Sequence, residues 1–183
     1  MRVSKEQAAE NRKRILKATS RLIRERGILG TGVDALTEAA GMTHGGLYSQ
    51  FGSKERLIEE ALAHGIAEKG RELSEVATLS EYVSSYLSAK HRDAPGRGCP
   101  IAALCSDMPR QNEGVRTRFT AGLRGMVAAL SGRQDSVVKQ RKRDEAALAM
   151  VASLVGALVL ARSVNDPKLS NDILRATKNN LER

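Results

Sequence analysis

The sequence predicts an all-α protein. Aromatic residues are only 3% of the chain and Trp is absent, while Ala, Leu, Glu, Arg and Lys dominate. An aliphatic composition of that kind suits helices packed on helices better than sheet on sheet. Only four of 183 residues are proline, and proline is the residue a helix interior tolerates least. No stretch of any length alternates apolar and polar residues as a half-buried strand would. Hydrophobic residues at 41% and charged residues at 28% describe a globular chain, not a disordered one.

The elements follow in order. From residue 5 to 26, Ile15, Leu16, Thr19, Leu22 and Ile23 recur at helical spacing, with Lys and Arg on the other faces. Gly27 stops this helix, and residues 28–32 read as a loop. A short helix over 33–40 turns Leu36, Ala39 and Ala40 inward, and Gly41 supplies the turn after it. Thr43 caps a second short helix that opens with His44, Gly45 and Gly46. Leu47 and Phe51, four apart, face inward, and Gly52 ends the helix. Ser53 caps the next one, which runs from Lys54 to about residue 70 and is shared by both halves of the chain. Further helices are expected over 80–89, 100–106, 112–131, 141–162 and 170–182, with loops at 94–98 and 131–136.

The chain carries a net charge of +9, and residues 1–26 hold nine Lys/Arg against three Glu. A basic end of that kind points to a polyanion, most simply nucleic acid. The bland alternative is a solvated helix face. Two cysteines six residues apart form neither a disulfide framework nor a zinc site. No secretory signal is read at the start, so a cytoplasmic protein is expected. The longest apolar run, 146–161, is shorter than a bilayer span and reads as a buried helix, with no membrane partner. No cofactor motif or metal cluster is read, and no enzyme is expected.

Two short helices joined by a tight turn at Gly41 make a helix-turn-helix pattern. Adjacent glycines cost stability inside a helix, so Gly45 and Gly46 call for a reason. They would let the N-terminal backbone of the second helix approach DNA, where free N–H groups and the helix dipole favour phosphate. Tyr48 would then offer its hydroxyl to a phosphate, and Lys54 would meet the same strand as a point charge.

Residues 15–62, "ILKATSRLIRERGILGTGVDALTEAAGMTHGGLYSQFGSKERLIEEAL", resemble the TetR-type bacterial transcriptional regulators, most specifically in the Gly-x-Leu-Tyr-x-x-Phe-x-x-Lys-Glu core from Gly45 to Glu55. Two positions depart from the pattern. Gly32 stands where Ser or Thr is common, which removes one phosphate contact, and Thr37 stands where a small Ala is common. Thr37 either alters the angle between the two helices or bonds a carbonyl one turn back. The resemblance implies a DNA-binding domain over residues 1–52 and a helical ligand-binding and dimerisation domain over 53–183. It implies a homodimer on a palindromic duplex operator, most simply a repressor released by a small molecule. Carried onto this chain, it places Thr43, His44, Gly45, Tyr48, Ser49 and Gln50 towards DNA, with Thr31 and Lys54 on phosphates. Gln50 is the base reader, since Gln can pair two atoms of adenine.

In the second half, residues 112–131 align Val115, Phe119, Leu123, Met126, Val127 and Leu130 on one stripe. The helix from Asp144 is apolar nearly all round, so it is buried on several sides. A four-helix bundle between two subunits would cover Leu123, Val127, Val151, Leu154, Val155 and Leu158. A monomeric core helix is the alternative. The effector is expected near Cys99, Cys105, Met108, Phe119 and Met126. Cys99 precedes Pro100 at a predicted helix start and follows Arg97, an environment that favours thiolate. The run Gly98–Leu104 is similar to a subset of the same regulators that sense reactive compounds. The competing reading makes both cysteines small core hydrophobes. A thiol enzyme would need a base, and His44, His64 and His91 stand at no recognisable spacing for one. A helical interaction module without DNA would not require the Gly45–Glu55 core.

Overall fold

The computed structural model describes residues 5–134 and 139–182. Among them are ten α-helices and no strand. The first four are α1 (Lys5–Arg26), α2 (Val33–Ala40), α3 (His44–Phe51) and α4 (Lys54–Glu75). The second half contains α5 (Leu79–Tyr86), α6 (Ala89–Arg92), α7 (Pro100–Leu104), α8 (Glu113–Ser131), α9 (Gln140–Ser163) and α10 (Pro167–Leu181).

Local chemistry sets the ends. Gly27 and Gly41 adopt positive φ, 75° and 62°, which costs a glycine little and other residues much. At Gly41 its own N–H reaches Glu38 O and the Met42 N–H reaches Thr37 O, a paired bonding that closes α2 and redirects the chain into α3. Thr43 and Ser53 cap α3 and α4 by accepting from Gly46 and Arg56 N–H. Thr78 and Glu81 form a full capping box on α5.

Four expectations need correction. The fourth helix does not stop near residue 70 but continues to Glu75, because Gly70 is exposed and a methyl there would meet nothing. Residues 80–89 are two helices, since the Ser88 hydroxyl caps a new turn by accepting from His91 N–H. Within 94–98 a 3-10 turn forms at Pro95–Arg97. Of the loop expected over 131–136, Ser131 still belongs to α8, and residues 135 and 136 lie outside the described residues.

Two apolar cores share the chain. One joins α1, α2 and α3 through Ile15, Ile23, Leu36, Leu47 and Phe51, and is closed by Leu57 and Leu62 of α4 and by Leu104, Met108 and Val115. The other gathers Leu73, Val83, Tyr86 and Met126 with Val151, Leu154 and Leu158 of α9 and Leu174 of α10. α4 serves both cores. Ile66 and Phe119 pack against both, so movement at one core meets the other through direct contact. α9 is long and apolar enough to cross a membrane by length and composition. Here it is a core helix, with Ala147, Val151, Leu154, Ala157, Leu158 and Ala161 buried against its own chain.

Candidate nucleic-acid interface and effector cavity

α3 stands at the surface with its apolar side, Leu47 and Phe51, in the core. Thr43, His44, Gly45, Tyr48, Ser49 and Gln50 are exposed, Tyr48 at 51%, and Lys54 is partly exposed. The Thr43 hydroxyl is occupied by the Gly46 N–H at 3.1 Å. The amides of His44 and Gly45, in the first turn, have no helical acceptor. A methyl at Gly45 would meet nothing within 4 Å, and Gly45 has no positive φ. Its lack of a side chain therefore answers no demand of the fold.

Several side chains fix how α3 is presented. His44 Nε2 lies 2.7 Å from Asp34 Oδ1, tying the start of α3 to α2. At the other end Arg12 of α1 stacks on the Phe51 ring, 4.3 Å from its centroid, donates to Gln50 O and pairs with Glu60. Sequence reading missed Arg12, although a cation among apolar positions of the first helix was a visible signal. Thr37 is buried and donates to Val33 O and Asp34 O of its own helix, so the extra hydroxyl is satisfied without an outside partner.

Thr31 is a correction. Expected on a phosphate, it is fully buried and donates to Gly27 O at 2.6 Å, closing the loop after α1. Its hydroxyl is spent before any outside partner arrives.

Between α1, α4, α5, α7 and α8 lies an open cavity of about 1150 Å3. Cys99 and Met126 line it; Cys105, Met108 and Phe119 do not. Met108 is instead buried in the first core, and Phe119 bridges the two cores. The Cys105 sulfur turns back towards Ala102 O, and burial pushes its thiol pKa up. Cys99 does not stand at an open helix end. It is only 7% exposed, it begins a five-residue helix, and its N–H donates to His91 Nε2 at 2.9 Å.

His91 is the hinge of this corner. Its Nδ1–H donates to Tyr86 O at 2.8 Å, so Nε2 is left as the acceptor for Cys99. Burial first, then the nearby Arg162 charge, holds its pKa down at about 4 against the opposing Tyr86 carbonyl bond. The Tyr86 ring meets His91 edge-on at 4.6 Å. Burial also pushes the Tyr82 and Tyr86 phenols upward. The Tyr86 hydroxyl is buried and, apart from contact with the Cys99 thiol, lacks a hydrogen-bond partner among the described residues. Tyr82 and Tyr86, four apart in a chain with three tyrosines, were the missed signal for this wall.

Two polar contacts tie the cavity wall to the α1–α3 unit. Arg24 of α1, 5% exposed, donates to Gly98 O at 2.8 Å and to Ser20 O at 3.0 Å, with Glu68 at 3.9 Å. Burial lowers its pKa, though a guanidinium with these partners remains charged. Asp107 accepts the Ile28 N–H at 2.7 Å, just after α1 ends.

The expected dimer residues also need correction. Val151, Leu154 and Leu158 are 3%, 0% and 0% exposed and belong to the chain's own core, which leaves them nothing to offer a partner. Leu123, Val127 and Val155 are partly buried against that core. The uncovered stripe of α9 is a different one. Leu148 (55%), Ala152 and Leu160 (56%) are exposed, Gly156 is half-exposed, and all four fall at helical spacing.

Residues 15–61 match the model of the bacterial regulatory proteins of the tetR family, the segment that holds α2, the Gly41 turn and α3. That segment is of the TetR family. The matched segment and the curated relatives support a DNA-binding transcriptional regulator of this family rather than an enzyme. An uncharacterised HTH-type transcriptional regulator of Mycobacterium tuberculosis, Rv0196, is 28% identical over 174 residues, covering 85% of this chain and 86% of its own. Among solved structures, E. coli NemR in its reduced form superposes with a TM-score of 0.77 at 21% identity, covering 94% of this chain and 95% of that one. A TetR-family regulator from Cytophaga hutchinsonii gives 0.74 at 19% identity, over 100% and 97%. At such identities these structures speak for the fold.

Proposed function

We propose that this TetR-family protein is a dimeric repressor whose operator affinity is set by a small molecule in the cavity. Residues 1–52 read DNA, and residues 53–183 hold the effector and the partner subunit. The carrying observation is Gly45. It lies in the first turn of an exposed helix, its missing side chain leaves room no neighbour uses, and Tyr48 and Gln50 flank it at the surface. Room of that kind suits a phosphate approaching backbone N–H groups. In this reading Tyr48 and Lys54 touch backbone, and Gln50 reads a base.

The dimer forms through the α9 stripe of Leu148, Ala152, Gly156 and Leu160, where small residues let a partner helix approach closely. Two identical heads then address a two-fold symmetric operator. An effector that moves the Gly98 or Asp107 wall pulls on Arg24 and Ile28, and so on α1. An electrophile reaching Cys99 would act through the same wall. The cell compartment in this reading is the cytoplasm, where operator and regulator meet.

Selection of bound sequences from random duplex DNA tests this. The expected result is a palindrome with half-sites about one helical turn apart or a multiple of it, and Gln50→Ala relaxing preference at one base pair per half-site by about 1–3 kcal/mol. An asymmetric single site, or an unchanged motif with Gln50→Ala, overturns the arrangement.

A further inference from the structure

We propose that the cavity selects an amphipathic organic anion: an aliphatic body seated among the inner apolar walls, with its acid group held at a cationic rim. This rests on the cavity being the effector site. The charge of the lining carries the inference. Its two carboxylates, Glu68 and Glu72, already have partners in Arg24 and Lys69. Arg21 pairs with Glu25 and Arg118 with Glu59. Lys17, Lys90 and Arg97 remain, three cations on the edge of one cavity that form no ion pair among the described residues. Unpaired cations around an opening with low-dielectric walls raise the local concentration of anions.

The interior is of the opposite character. Ile66, Leu73, Tyr82, Ile101 and Met126 supply apolar wall. Gly125 adds width, since a methyl there would meet nothing within 4 Å. The buried Tyr86 hydroxyl is a second and independent sign of a ligand. It is 4% exposed, lines the cavity and, apart from contact with the weakly bonding Cys99 thiol, has no hydrogen-bond partner among the described residues. A buried polar group in that state calls for an acceptor from outside the chain. Few aromatic faces line the space, so an aliphatic body fits better than a stacked ring system.

Isothermal titration of the full-length protein with decanoate, 1-decanol and decylamine tests the class. Decanoate is expected to bind at least tenfold more tightly than the neutral and cationic probes. The double variant Lys17→Gln/Arg97→Gln should lose about tenfold for decanoate and leave 1-decanol unchanged. Tyr86→Phe should weaken decanoate severalfold. Gly125→Leu replaces a helical glycine and projects into the cavity, so it should keep the helical circular dichroism and melting temperature while abolishing decanoate binding.

Equal binding of 1-decanol, no decanoate binding at millimolar concentration, or binding that survives in Gly125→Leu overturns the proposal. Operator affinity measured in the same samples separates this from the regulatory reading. Decanoate that binds without changing DNA affinity supports the anion site and removes its effector role. Decanol that binds and releases DNA keeps the effector role and overturns the anion site.

Discussion

Leu160→Ala and Leu160→Glu separate the proposed subunit contact from the fold of one chain. Leu160 is 56% exposed on α9, while Leu154 on the same helix is fully buried in the chain's own core. Burying a whole leucine contributes about 1.5–3 kcal/mol, so covering the exposed half of Leu160 contributes about 1–1.5 kcal/mol. In a two-fold dimer the same residue appears twice, which gives about 2–3 kcal/mol for Leu160→Ala. That corresponds to a roughly 30- to 150-fold rise in the dimer dissociation constant. Leu160→Glu adds the cost of desolvating two facing carboxylates and should give a monomer at micromolar concentration. Neither change should lower the helical content of the chain, because in the monomer both side chains lie in water. Leu154→Ala, by contrast, should cost about 2–5 kcal/mol of fold stability through a buried cavity. Sedimentation velocity across a dilution series, with circular dichroism alongside, reads both. If Leu160→Glu stays dimeric while folded, the α9 stripe is not the interface.

Two further outcomes follow from the His91 corner. The neutral ring has a folded pKa of about 4, below its unfolded value of roughly 6.5. Its contribution is therefore fully present above about pH 6.5 and is lost as pH falls through about 4, up to roughly 3 kcal/mol in all. Urea unfolding at pH 7.5 and 4.5 should show a smaller loss in His91→Gln than in the unsubstituted protein, and an equal loss would remove His91 from the account. Cys99 lies inside the cavity and Cys105 outside it, so Gly125→Leu should slow N-ethylmaleimide labelling of Cys99 without altering Cys105. Mass spectrometry of the labelled protein tests this, and equal slowing of both thiols would contradict it.

Much of the first half was legible in the sequence because its signals are local. Gly27, Gly41 and Gly52 are turn or stop signals that act within a few residues, and all three adopt positive φ. Thr43 and Ser53 cap the helices they were expected to cap. Thr31 was misread because its burial depends on how the loop folds back on α1, a tertiary matter. In the second half the signals are shared by several outcomes. α9 is apolar nearly all round, and periodicity does not say which stripe faces α8 and α10 and which stays open. Leu154 and Leu158 were assigned to the subunit contact and lie in the chain's own core, while Leu148 and Leu160, which were assigned to no contact, are the exposed ones. The cavity joins residues from Lys17 to Ala129, so spacing along the chain does not reveal it. Cys99 was legible as a helix start, but its burial and its bond to His91 were not.

Gly45→Ala tests most directly whether the α3 backbone near Gly45 approaches DNA. Alanine is favoured over glycine in a helix by up to about 1 kcal/mol, and the added methyl meets no atom of the chain within 4 Å. The free protein should therefore melt at the same or a higher temperature. On DNA the methyl occupies the space proposed for phosphate, so gel-shift affinity for the selected operator should fall at least tenfold. A Gly45→Ala protein that is as stable as the original and binds its operator equally well would contradict the claim.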